Sequence, residues 1–325
     1  MNFLKEYTQY KNLINSKLSK TAISGKPELI YSPVKYILNG GGKRMRPILT
    51  LLSSQAVGGK KYSAINAALA IEMLHAFTLV HDDIMDNAPT RRGRKTIHTK
   101  WNISAAILVG DGIIALSFLE LLKTKSNKIS EISKVFTKGL IDVCDGQALD
   151  KEFETNKNVT IKDYFKMIDL KTGRMVATST EIGAIIGGGK SSEISALRKF
   201  GESLGRAFQI QDDLLDVISN KKTFGKEIGN DITSGKKTFL LLNALKKSTG
   251  KDKDLIKSII KNNGIEKNKI EKVKDIYNRL GIINQSKNEV GKEILKACDK
   301  LYSLPKTDAR QMLFWFASML LQRKF

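Results

Sequence analysis

Apolar residues recur along this chain every three to four positions, the period of a helix with one buried face. Phe3, Leu4, Tyr7, Tyr10, Leu13, Ile14 and Leu18 mark a first helix over residues 1–20. Pro27 and Pro33 punctuate the next segment, and Pro33 is suited to open a short helix through VKYILN. The helical period returns over 48–57 and 62–85, with a break at Gly58-Gly59. Residues 103–122 are apolar nearly all round, which predicts a helix deep in a bundle or one interrupted at Gly110-Asp111-Gly112. A further helix covers 128–154. Thr160 then reads as an N-cap with Asp163 at the capping-box position, and that helix runs to Asp169-Leu170-Lys171-Thr172-Gly173. Helices over 174–187 and 192–218 precede a polar, glycine-rich loop from Thr223 to Thr238, and helical periods resume from Phe239. Period-2 alternation is almost absent. The expected fold class is therefore all-α, a single large helical bundle forming one domain over 1–325.

Two acidic clusters interrupt this pattern in the same way. The apolar stretch AALAIEMLHAFTLV stops at His81-Asp82-Asp83-Ile84-Met85-Asp86, and SLGRAFQI leads into Gln209-Ile210-Gln211-Asp212-Asp213-Leu214-Leu215-Asp216. In each, two carboxylates (Asp82 and Asp86; Asp212 and Asp216) stand one helical turn apart on one face, where like charges repel. Hard oxygen ligands at that spacing suit Mg²⁺, which takes one or two carboxylates and completes its shell with water and phosphate oxygens. Basic and glycine-rich segments accompany both. Gly40-Gly41-Gly42-Lys43-Arg44-Met45-Arg46-Pro47 allows close backbone approach to an oxyanion, although no P-loop pattern is present. Thr90-Arg91-Arg92-Gly93-Arg94-Lys95 comes after the first cluster, and arginine forks match phosphate oxygens. Metals flanked by cations form a site for a diphosphate.

Composition narrows the alternatives. Of 325 residues 41% are hydrophobic, enough for a sizeable core, and two cysteines, Cys144 and Cys298, lie in no paired motif, which excludes a disulfide framework or zinc site. The N-terminal MNFLKEYTQYK carries charge where an export signal needs an apolar segment, and Asp82 and Asp111 break the longest apolar runs. A cytoplasmic protein without stable membrane insertion is expected. The formal charge of +22 raises nucleic acid as a partner, but the lysines of the last third alternate with acids at helical spacing. No nucleic-acid partner is expected.

Taken together, GGGKRMRP, DDIMD followed by RRG, KTG, and FQIQDDLLD followed by GKEIGNDITSGKKT resemble, in order and spacing, the trans-isoprenyl diphosphate synthases, or polyprenyl synthetases. The resemblance covers about residues 35–245 and implies a prenyltransferase. Members of this family are all-helical homodimers whose aspartate motifs face each other across a central cavity and hold about three Mg²⁺ ions around an allylic diphosphate. It implies metal binding by Asp82, Asp86 and Asp212, with Asp216 behind. It implies that Arg91, Lys171, Gln209, Lys226 and Lys236 hold or flank the allylic diphosphate. Gly42, Lys43, Arg46, His75 and Arg92 match the site of isopentenyl diphosphate, and Thr172 with the Lys171 carbonyl would stabilise the allylic cation. Thr78 and Phe77 lie about 6 and 7.5 Å along the helix from Asp82, where a growing tail passes. An aromatic five residues before the motif with a small residue four before it resembles the geranylgeranyl-forming archaeal type, and Phe77 is then the floor. A farnesyl or longer-chain synthase and a non-catalytic regulatory subunit are the alternatives. Lys95 and Phe239 depart from family habit, where proline after RRG and leucine-proline after KKT are common.

Overall fold

The computed structural model describes residues 2–21, 25–219 and 229–321. The order is α1 (Phe3–Thr21), α2 (Glu28–Leu38), α3 (Met45–Ala56), α4 (Ile65–Met85), a hairpin of two two-residue strands, β1 (Thr90–Arg91) and β2 (Arg94–Lys95), α5 (Ile97–Lys100), α6 (Ile103–Leu122), α7 (Ile129–Thr155), α8 (Ile161–Ile168), a π-turn (Asp169–Gly173), α9 (Arg174–Ile186), α10 (Ser191–Ile218), α11 (Asn230–Thr233), α12 (Phe239–Lys247), α13 (Gly250–Asn262), α14 (Ile270–Arg279), α15 (Ile282–Leu301) and α16 (Asp308–Leu321). The fold is all-α, as the periodicity predicts. Two compact units account for it: Met1–Leu140 with Thr178–Arg198 and Leu301–Trp315, and Ile141–Ala177 with Lys199–Lys300 and Phe316–Phe325.

In the first unit, α4 lies against α6 and α3, and α2 packs on α6. Ile48, Leu49 and Leu52 of α3 and Ala68, Ile71 and Leu74 of α4 are fully buried or nearly so. Backbones approach closely where Gly183 and Gly187 meet α3: a Cβ at either would fall 2.2 Å from the Thr50 carbonyl oxygen or 2.3 Å from that of Ser54. Pro33 does not open a helix. It lies inside α2, which starts at Glu28 after Pro27 and continues through Pro33 at the loss of one backbone bond. The 103–122 segment is uninterrupted, because Gly110 lets the His81 ring pass where a Cβ would come within 2.1 Å of its Nε2. By length and composition α6 is apolar enough to cross a membrane, yet Ala105, Ala106, Val109, Ile113 and Leu121 pack inside the unit. It is not deeply buried all round either: Ile107, Leu108, Leu119 and Leu122 are exposed on one side.

The second unit is built on Leu214, Leu240, Leu241, Ile256, Ile259, Ile276, Tyr277 and Ile282. The capping box at Thr160 forms as read. The Thr160 hydroxyl accepts from Asp163 N at 3.2 Å, and Asp163 Oδ2 accepts from Thr160 N at 2.9 Å. Lys157 closes the other end of a helix, donating to the carbonyls of Ile260 and Lys261 at the C-terminus of α13. The α8 helix does not stop at Lys171-Thr172-Gly173. It runs through the π-turn directly into α9, so all three residues lie mid-helix.

Candidate active site

Four short pieces of the first unit converge on one cleft. The last turn of α4 carries Asp82 and Asp83, and Asp86 is its C-cap. No basic residue lies in that turn, so the carboxylates sit at the negative end of the helix dipole. Asp83 is buried and accepts from Arg91 Nε at 2.6 Å, while burial, outweighing Arg91, raises its pKa. Arg91 leads into the hairpin corner, Arg92-Gly93, where both residues have left-handed φ angles of 54° and 72°. From that corner Arg92 Nη1 donates to the Gly41 carbonyl at 2.7 Å. The glycine turn is thereby tied to the loop after the first acidic cluster.

The turn itself is held from beneath. Gly41, Gly42 and Arg44 have φ of 72°, 135° and 52°, conformations that two glycines supply without strain. Arg44, at 6% exposure, compensates with bonds to Glu72, to Asn15 Oδ1 at 2.9 Å and to the Leu38 carbonyl at 2.8 Å. The Lys43 carbonyl accepts from the Tyr7 hydroxyl at 2.6 Å. One turn on, Arg46 Nη1 lies 3.2 Å from His75 Nε2. Burial, reinforced by Arg46 and Arg92, pushes the His75 pKa well below its ordinary value, so the ring is neutral and its Nε2 accepts from Arg46. Burial, opposed by Glu72, also pulls Arg46 down to about 10, which leaves it charged at neutral pH. The resulting cleft is lined by His75, Arg44, Arg91, Arg92, Arg94 and Lys95, with Glu72 and Asp83. It is a cationic pocket whose two carboxylates are each spoken for by an arginine.

Phe77 and Thr78 occupy the same helix. Phe77 is buried, with its ring edge-on to His81 at 4.7 Å between centroids. Thr78 turns back, donating to the His75 carbonyl at 2.9 Å.

In the second unit the last turns of α10 repeat the acidic arrangement, again without a basic residue in the final turn. Asp213 is buried and accepts from Tyr164 Oη at 2.7 Å and from Gln209 Nε2 at 2.9 Å. Gln209 in turn accepts from the Thr172 hydroxyl at 2.8 Å, which links the π-turn to the acidic cluster. Asp216 Oδ2 accepts from Asp231 N at 3.0 Å. Burial first, and the Asp231 carboxylate second, raise Asp213 to about 7 and Asp216 to about 6. Lys171 Nζ donates to Asp150 Oδ2 at 2.7 Å, and Lys236 lies 4.0 Å from Asp231. Burial would raise Asp150, but Lys236 and Lys171 outweigh it and lower its pKa. Lys226 lies outside the described residues.

The π-turn is clamped on both sides. A Cβ at Gly146 of α7 would fall 2.3 Å from Lys171 N, and one at Gly205 of α10 would fall 2.6 Å from the Gly173 Cα. Arg206 adds a two-pronged bond to Asp169, Nε to Oδ1 at 2.8 Å and Nη2 to Oδ2 at 2.5 Å. Because the nearest atoms are backbone, Gly146→Ala forces the turn itself to move. The expected outcome is a loss of about 1–3 kcal/mol in a urea titration and at least a tenfold lower kcat. An unchanged kcat would show that the turn tolerates displacement.

Sequence reasoning gave no site role to Arg44, Glu72, Asp150 or Tyr36, and took Arg94 only as part of the basic loop 90–95. The signal for Asp150 was its place three residues after Gln147 on one helix face; for Glu72 it was a carboxylate within an otherwise apolar run. The donor chemistry fits Mg²⁺. In each cluster the middle carboxylate is engaged by protein donors, Asp83 by Arg91 and Asp213 by Tyr164 and Gln209, which leaves the outer pair, Asp82 with Asp86 or Asp212 with Asp216, as the oxygen donors such an ion takes beside phosphate oxygens.

Helical units carrying two acidic clusters, each set among cations, define a diphosphate-handling enzyme. Residues 27–280 match the polyprenyl synthetase family. A short chain isoprenyl diphosphate synthase of Methanothermobacter thermautotrophicus is 36% identical over 325 residues, covering 100% of this chain and 98% of its own. A geranylgeranyl pyrophosphate synthetase of Pyrococcus horikoshii superposes with a TM-score of 0.91 at 35% identity, over 99% of this chain and 100% of that one. A polyprenyl synthase of Caulobacter crescentus, solved with calcium and isoprenyl diphosphate, gives 0.91 at 26% identity over 99% and 97%. The chain belongs to the polyprenyl synthetase family. It is a prenyltransferase.

Proposed function

We propose that the protein condenses isopentenyl diphosphate head-to-tail with allylic diphosphates, releasing an all-trans prenyl diphosphate of twenty carbons. The observation that carries this reading is the pairing of two acidic helix ends with two separate sets of cations. One set, assigned by motif, is Lys43, Arg46 and Arg92 with the neutral His75 and the Gly42 turn; His75 and Arg92 line the cleft, which suits a diphosphate bound without metal. The other set, Arg91, Lys171, Gln209, Lys226 and Lys236, is assigned to the allylic diphosphate by motif. Asp82, Asp86 and Asp212, with Asp216 behind, would hold about three Mg²⁺ ions. Bound there, the metal would neutralise the diphosphate as it leaves the allylic carbon.

The chain's own residues supply the rest. Breaking the carbon–oxygen bond separates charge, and fixed cations aimed at the leaving group act before it departs. The Thr172 hydroxyl and the Lys171 carbonyl, both on the π-turn, would stabilise the allylic cation. Apolar helix walls keep water from it. No side-chain base is required, because the released diphosphate can take the proton. A regulatory subunit is disfavoured, since both acidic clusters are complete, and a cyclase has no second diphosphate to bind. The exposed apolar stripe of α6, Ile107, Leu108, Leu119 and Leu122, supports a homodimer in which a second copy covers it.

The test is incubation with Mg²⁺, isopentenyl diphosphate and, separately, the five-, ten- and fifteen-carbon allylic diphosphates, with the dephosphorylated products resolved by length. A twenty-carbon product is expected. Phe77→Ala should lengthen it by one or more five-carbon units, because the ring that stops the tail about 7.5 Å from Asp82 is removed. Product of unchanged length would remove Phe77 as the floor, and no condensation with any starter would overturn the synthase reading.

A further inference from the structure

Arg94 stands outside both cation sets. It opens β2 and pairs directly across the two-residue ladder with Arg91. Residues opposite each other in an antiparallel pair share a face, and like charges there destabilise the hairpin. Arg91 is relieved by Asp83. Arg94 has no such relief: among the described residues its side chain forms no hydrogen bond or ion pair. Its guanidinium lies instead over the Tyr36 ring, 3.8 Å from the centroid.

That ring is itself fixed. Tyr36 Oη donates to the Lys95 carbonyl at 2.9 Å, and the Trp101 ring meets it edge-on at 5.3 Å. On its other flank Arg94 Nη1 comes within 3.1 Å of where a Cβ at Gly40 would stand, so the group reaches the glycine turn. Stacking occupies the faces of a guanidinium and leaves its in-plane N–H donors open. A flat, immobilised fork thus stands at the wall of the cleft that also contains Arg92, Lys95 and His75.

We infer that Arg94, held flat by Tyr36, is a further phosphate-binding residue of this cleft and donates in plane to the diphosphate of the isopentenyl substrate. The anion on Arg94 neutralises the guanidinium that faces Arg91 across the ladder. Tyr36 is the positioning residue. The inference rests on the reading that this cleft takes isopentenyl diphosphate, and its test separates the two.

Steady-state kinetics of Arg94→Met should show a KM for isopentenyl diphosphate raised about tenfold or more, with kcat lowered less than threefold and the KM for the allylic substrate unchanged. Arg94→Lys, a charge without the fork, should recover part of that loss. Tyr36→Leu should raise the same KM by a smaller factor, and Tyr36→Phe, which keeps the ring, by less still. Calorimetric binding of inorganic pyrophosphate without metal gives a readout independent of turnover, and Arg94→Met should weaken it by a similar factor at an unchanged melting temperature. Equal KM and equal pyrophosphate affinity in Arg94→Met would overturn the inference. A fall in kcat that parallels a fall in melting temperature would reduce Arg94 to a structural role and overturn it as well. Pyrophosphate binding that depends on Arg94 in a protein without condensing activity would support the inference while removing the synthase reading.

Discussion

Asp82→Ala and Asp212→Ala are each expected to lower kcat about a thousandfold while leaving the metal-free protein as stable as the parent or slightly more so. The two effects share one cause. Each carboxylate sits in the closing turns of a helix whose final turn has no basic residue, against the negative end of the dipole and beside other acids. Removing one relieves repulsion of about 0.3–1 kcal/mol. It also removes a ligand from the cation site that must meet the leaving diphosphate, where loss of one well-placed group costs about 10²–10³ in rate. Thermal melting in a chelator, set beside single-turnover rates in Mg²⁺, checks both signs. A variant that loses activity and melting temperature together would place the aspartate in the fold's support. Chelation of the parent should mimic the rate loss and leave the fold in place.

The second large effect belongs to Glu72. It is 5% exposed and faces Arg44, 6% exposed, across a 2.5 Å ion pair inside the first unit. Replacement of Glu72 by Ala strands a buried guanidinium, at a cost of about 3–5 kcal/mol in chemical denaturation. Glu72→Leu combined with Arg44→Leu should return a good part of that stability, because a buried pair is worth far less against a packed apolar pair than against a broken one. Activity will not return with it. Arg44 is the residue that fixes the left-handed entry to α3, and the glycine turn before it carries Gly42 and Lys43. A double variant that is stable and fully active would show that the turn keeps its shape without its anchor.

Legibility in the sequence was set by the kinds of information that periodicity and spacing can encode. A 3.6-residue repeat shows in every long helix, and Asp82 with Asp86, or Asp212 with Asp216, reveals itself because a pair of acids ending an apolar run contradicts the local pattern. The Thr160–Asp163 box was readable because capping is local in sequence. The π-turn was not. One extra residue in a turn shifts the helical phase by an amount lost among side chains, and its causes, Gly146 and Gly205 against the turn's backbone, lie 23 or more residues away from Asp169 in sequence. The hairpin escaped for another reason: strands of two residues are too short to alternate. Pro33 misled because a helix already begun can carry a proline at the loss of one bond. Arg94 and Tyr36 are adjacent only after α2 and the hairpin have folded, and no spacing rule connects residues 58 positions apart.

The hairpin corner has a consequence for how this chain can change over time. Arg92 holds a left-handed backbone, φ 54°, that glycine would adopt at about 1–2 kcal/mol less cost, and its neighbour Gly93 already does so. Selection for robustness and selection for substrate capture therefore pull this codon in opposite directions. A library sorted by thermal survival alone would drift toward glycine at 92, and the population it enriched would have lost the guanidinium that bridges the corner to Gly41.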